Sequence, residues 1–276
     1  MKNKRLMNYV HVAMVCVINV VILFLLFVPF GVKKYLESTD LYTYGVTSIA
    51  GSVLLILGTM LYYKFVNKKP LKGMGFGFNR RDIGFSVAAI VLLPSALIAY
   101  MALLSSQGLV SAEFNANLFS DFQLIPLFLM IVVAWILAAF SEELLYRGYM
   151  VAMLKHLTIG RLFVVTSLFF MLSHVFKGMS PVYSFFLVIG AVTLLYVYLK
   201  SGSLLTATLV HAVYNLTTTH LIGKSEIAIV QLHQDPELQY VFIADLLVYI
   251  VLFLLTTVFY RNNRARKSHS RSSIHV

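Results

Sequence analysis

From Leu124 to Phe140 the chain runs 17 residues without one ionisable side chain. That run lies in one of eight predominantly apolar stretches, which together constrain the fold more than any other feature. They lie at about 8–30, 43–66, 83–104, 124–154, 162–177, 182–199, 203–222 and 241–260. About 20 apolar residues suit a hydrocarbon core roughly 30 Å thick, and lipid offers no partner to unpaired backbone groups. Each stretch is therefore expected to be helical. The expected fold class is all-α, a polytopic membrane helical bundle of about eight transmembrane helices. Composition agrees: 59% of residues are hydrophobic and 12% charged, whereas soluble domains are nearer half and a quarter. The first run exceeds a signal-peptide core of roughly 7–15 residues and lacks a small-residue cleavage site, so it reads as a span. A single cysteine, Cys16, excludes an intrachain disulfide and a cysteine-based metal cluster.

The net charge of +11 invites a nucleic-acid reading. The placement of the charges opposes it, because Lys and Arg cluster in loops beside apolar runs. Leaving Arg147 aside, 17 of them fall on one face: the N-terminus, the 64–81 loop, Lys155, Arg161, Lys200 and the tail from Arg261. The opposite face holds four: Lys33, Lys34, Lys177 and Lys224. The positive-inside rule then puts both termini in the cytoplasm of a multi-pass plasma-membrane protein, with the lipid bilayer as partner and no nucleic acid. One membrane domain divides into 1–120 (three spans), 121–222 (a motif-bearing helical core), 223–260 (outer loop and last span) and a basic tail, 261–276. Short loops and a Lys-, Phe- and Tyr-rich composition point to a bacterial source.

Three of the expected spans carry polar groups that lipid disfavours: Glu142, Glu143 and Arg147 on the fourth, His174 on the fifth, and His211 with Asn215 on the seventh. At about 1.5 Å per residue, Glu142 lies about 20 Å from Lys155, His174 about 20 Å from Arg161 and His211 about 16 Å from Lys200. An acid and two imidazoles thus reach similar depth. Glu143 and Arg147 are i,i+4 neighbours with the acid N-terminal, the favourable order for pairing. An intramembrane arginine needs such a partner. Glu142 is turned about 100° away on the helix and is left to face a cavity. Asp245 has no evident partner and is read as structural. His11, His156, His220, His233, His269 and His275 fall at interfaces or in loops and receive no role.

A carboxylate beside a histidine in a low-dielectric cavity can polarise a water for attack on a peptide carbonyl. A second histidine and an asparagine amide can donate to the resulting oxyanion. The same groups are also suitable zinc donors, although no HExxH helix is present. Taken singly, each feature has a plainer reading: a packed histidine, a structural ion pair, or interhelical glue. A proton-relaying transporter would show paired broken helices or repeats, which this chain lacks.

EELLYR (142–147), FMLSH (170–174) and HAVYN (211–215) match EExxxR, FxxxH and HxxxN. In this order on separate membrane helices they resemble the CAAX-protease and bacteriocin-processing (CPBP, Abi) family of intramembrane endopeptidases. The resemblance spans about residues 120–220. It implies that Glu142 and His174 activate the hydrolytic water, that His211 and Asn215 form the oxyanion site, and that Glu143 and Arg147 support them. It further implies a cofactor-free enzyme acting on a peptide or membrane-protein substrate, with zinc-dependent hydrolysis as the alternative. Bacteriocin processing or self-immunity is the implied setting. The competing reading is a non-catalytic protein of the same fold that binds a regulatory partner.

Overall fold

A computed structural model describes residues 2–27, 40–122, 124–175, 180–233 and 236–261. Lys33, Lys34, Lys177 and the tail beyond Arg261, used above to assign faces, lie outside them, as do residues 28–30 of the first run. The chain is a polytopic helical bundle. Its rods are α1 (Lys2–Phe27), α2 (Leu41–Leu61), α3 (Arg80–Ser106), α4 (Leu124–Glu143), α5 (Ile159–Leu172), α6 (Pro181–Ser201), α7 (Leu204–Leu216) and α8 (Leu238–Phe259). A π-helical turn, Leu144–Tyr149, and the short helix Met150–Met153 carry α4 onward as one continuous rod.

Among the described residues, six rods are long and apolar enough to cross a membrane. The expected fifth and seventh spans are shorter as α-helices, with 14 residues in α5 and 13 in α7. At 1.5 Å per residue that is about 20 Å, less than the hydrocarbon thickness. Helix α5 stops at Ser173, whose hydroxyl turns back to the Phe170 carbonyl (2.7 Å). Helix α7 passes into a π turn, Thr217–Leu221.

Local chemistry sets the helix starts. Asp40 caps α2, accepting from the Thr43 N–H (2.9 Å) and hydroxyl (2.8 Å). These bonds, the backbone one foremost, hold its exposed carboxyl below the ordinary carboxylate range. Ser180 caps α6 with Pro181 at the first helical position. In KSGS, Gly202 ends α6 in the left-handed conformation and Ser203 immediately caps α7.

One end of the bundle is clasped by these connections. The amide of Asn8 donates to the Met153 carbonyl (3.0 Å), Tyr198 to that of Met74 (3.1 Å), and the Leu204 N–H to that of Gly75 (2.7 Å). Tyr260 donates to the buried Asp82 (2.7 Å), itself part of the α3 capping box with Asn79. The N-terminus, the 67–79 loop, the 154–158 turn and the start of the tail therefore meet at one end, which carries the basic residues. The other end holds a three-stranded sheet absent from the sequence reading. Ala112–Phe114 pairs antiparallel with Val230–Leu232, which pairs parallel with Ile222–Gly223. Asp245 is also corrected: it accepts from Tyr214 (2.8 Å), whose oxygen accepts from Tyr249 (3.2 Å).

Gly75 has φ +88°, and an added Cβ would sit 2.8 Å from the Tyr198 hydroxyl. Gly75→Ala is expected to cost roughly 1–3 kcal/mol, read as a lower midpoint of thermal unfolding in detergent.

Candidate active site

Helix α4 delivers Glu142 and Glu143 at its last turn, and the π turn that follows delivers Arg147. Helix α7 runs antiparallel beside α4 and brings His211 to the same level. Glu143 is the junction. Its Oε1 accepts from Arg147 Nη1 at 2.7 Å and from His211 Nδ1 at 2.8 Å. Arg147 spends a second N–H on the Ala191 carbonyl of α6 (3.0 Å), and its guanidinium lies 5.0 Å from the Phe170 ring centroid of α5. Four rods thus converge on one buried ion pair, with the Arg147 and Glu143 side chains 1% and 0% exposed.

The division between the two glutamates follows helix geometry. Glu143 faces inward with Arg147, as the i,i+4 spacing requires. Glu142 faces the other edge of His211, with Oε2 3.8 Å from Nε2 and a side chain 29% exposed. His211 therefore sits between two carboxylates, one on each ring nitrogen. Its Nδ1 can only donate to a carboxylate, so that nitrogen carries the proton and Nε2 faces Glu142. Glu143 orients this imidazole as the aspartate orients the histidine of a catalytic triad. Sequence spacing contains no sign of this second duty, because His211 is 68 positions away on another rod.

His174 lies in the turn just beyond α5, 8% exposed. Its Nδ1 is 2.9 Å from the Phe170 carbonyl, which can only accept, so Nδ1 is the protonated nitrogen and Nε2 carries the lone pair. The Phe170 ring is the platform of the site: its centroid lies 4.7 Å from that of His174 and 6.1 Å from that of His211. The first position of FxxxH thereby acquires a physical role. Asn215 is half-buried one turn beyond His211 on the same helix. Among the described residues its side-chain amide hydrogen-bonds to no other site residue.

Glu142, Glu143, Arg147 and His211 are thus in direct contact, His174 joins them through Phe170, and Asn215 joins through its helix. Among the described residues no group of three or more His, Cys, Asp or Glu side chains is placed to hold a metal ion. The sequence reading also passed over His220, expected at an interface. It is buried, 6% exposed, against Trp135 and Tyr44.

A family model, type II CAAX prenyl endopeptidase Rce1-like, matches residues 124–217. The match begins with α4 and ends just after α7, so it contains all six residues of the site. No curated protein and no solved structure matches the chain significantly.

Unequal burial gives the two glutamates different weights in stability. Glu143→Ala or Arg147→Ala leaves an uncompensated buried charge and is expected to cost about 3–5 kcal/mol. Glu142→Gln is expected to cost less than about 1 kcal/mol. Thermal unfolding and folded yield in detergent distinguish the three variants.

Proposed function

With residues 124–217 matching the type II CAAX prenyl endopeptidase family, we propose that this multi-pass membrane protein is an intramembrane endopeptidase with Glu142 as its general base. The observation that carries the reading is the Glu142–His211 approach of 3.8 Å beside a buried Glu143–Arg147 pair. Two carboxylates on successive residues have separate duties: one is neutralised by arginine and orients a histidine, and the other meets a water.

Glu142 takes a proton from that water, helped by the lone pair on His174 Nε2, and the hydroxide attacks the peptide carbonyl carbon. The oxyanion accepts from the Asn215 amide and from His211 Nε2–H. That second donor requires His211 to be doubly protonated, a charge that the oxyanion itself balances while Glu143 holds the ring from the far side. Collapse breaks the C–N bond, and the proton held by Glu142 passes to the leaving amine. The substrate is a membrane-associated peptide or protein that enters between helices, since the loops are too short to build a binding domain. The basic end faces the cytoplasm, both termini with it, and bacteriocin processing or self-immunity is the biological setting. The reaction needs no metal.

The protein in liposomes, incubated with a mixed-sequence peptide library and read by mass spectrometry, is expected to release new termini. Glu142→Gln and His174→Ala should each lower the rate about 10²–10⁴-fold. Asn215→Ala should lower it about 10²–10³-fold. A chelator should leave the rate unchanged. Activity lost to chelation and restored by zinc would replace water activation by Glu142 with metal-assisted hydrolysis. Full cleavage by both Glu142→Gln and His174→Ala would remove water activation by these residues, and release of no new termini by the unsubstituted protein would remove the enzyme reading.

A further inference from the structure

The α4–α7 seam continues outward past the catalytic level, and its next polar contact has no assigned purpose. Helix α4 carries Trp135 seven residues before Glu142, two turns away on the same face. Across the seam, the π turn after α7 carries His220 five residues beyond Asn215, about one π turn further on. The Trp135 and His220 rings lie 6.0 Å apart, and Tyr44 of α2 closes a triangle at 6.2 and 6.1 Å. His220 is 6% exposed, yet among the described residues neither of its ring nitrogens has a hydrogen-bond partner, and neither does Trp135 Nε1. A buried donor or acceptor left unpaired costs about 1–3 kcal/mol, so native interiors seldom keep three in one contact cluster.

We propose that Trp135 and His220 form a substrate subsite that hydrogen-bonds the main chain of a bound extended peptide. The chemistry is complementary. A neutral imidazole offers one N–H and one lone pair, and the indole offers a second N–H. An extended peptide presents carbonyl oxygens and N–H groups that pair with them, and the three rings wall its flanks. Position supports the assignment as well. Two turns of α4 are about 10 Å, the reach of about three extended residues, so a peptide cut beside Glu142 would meet Trp135 three residues from the scissile bond. Main-chain recognition at this point is independent of substrate sequence. The inference rests on the endopeptidase reading, whose residues it extends along the same seam.

Trp135 is the only tryptophan in the chain, so its emission reports on this position alone. Detergent-solubilised Glu142→Gln protein, which retains peptides uncleaved, is titrated with mixed-sequence radiolabelled decapeptides. Retention on a filter gives total binding, and tryptophan emission gives occupancy of the seam. The expected result is saturable retention with a matching emission change. Adding His220→Leu should weaken both roughly five- to tenfold, the equivalent of one lost hydrogen bond. Peptide retained with no change in emission, or retained equally well by the His220→Leu protein, overturns the subsite and leaves the catalytic assignment standing. In that outcome His220 holds a resident water only. Failure to retain any peptide overturns both.

Discussion

The architecture depends on a charge that cannot be left alone. Arg147 is one of the most completely buried side chains in the protein, in a segment where lipid solvates nothing. Its guanidinium needs partners, and they come from different rods: the Glu143 carboxylate on α4, the Ala191 carbonyl on α6 and the Phe170 face on α5. Satisfying one cation fixes the relative placement of three helices. His211 then fixes a fourth, because its Nδ1 shares the oxygen that binds the arginine. This polar level of the bundle is in this sense built around its least soluble component.

That arrangement also separates tasks that adjacent residues would otherwise confuse. Successive positions on a helix point about 100° apart, so Glu142 and Glu143 cannot serve the same partner through the same atom. The inner carboxylate serves Arg147 and His211 through one oxygen, Oε1. The outer one is more exposed, and it is turned to the opposite ring nitrogen. An imidazole held between two carboxylates has a fixed ring plane and a fixed tautomer at Nδ1, which aims Nε2 without any loop having to close.

Much of this was readable from residue order. Apolar runs located all eight rods, because membrane thickness and helix rise leave few other solutions. The Glu143–Arg147 pair followed from i,i+4 spacing alone. Other parts had no local signature. The length of α5 depended on Ser173 turning back on its own helix, and α7 on a π turn that hydropathy does not register. The sheet uses strands of two and three residues, too short to display a period of two. Asp245 and His220 appeared idle because their partners, Tyr214, Trp135 and Tyr44, are distant in sequence and hydrophobic in type. An aromatic residue in a greasy helix reads as core, and only the folded chain shows whether its one polar atom is used. The Ala191 carbonyl had no signal of any kind, since it belongs to the backbone.

A wide turn interrupts the α4 rod at Leu144–Tyr149, and among the described residues two more close α2 and α7, at Tyr62–Val66 and Thr217–Leu221. Each amounts to one surplus residue inserted without leaving the helical path. Such an insertion acts as a phase shifter, so the side chains after it face about 100° away from where an unbroken α-helix would send them. The α4 rod can therefore aim one stripe at His211 and α7 along its outer two-thirds and an independently chosen stripe at the clasped basic end. Neither half is bound to the other's periodicity, and surface chemistry at one end can drift while the groups on Arg147's level stay in phase.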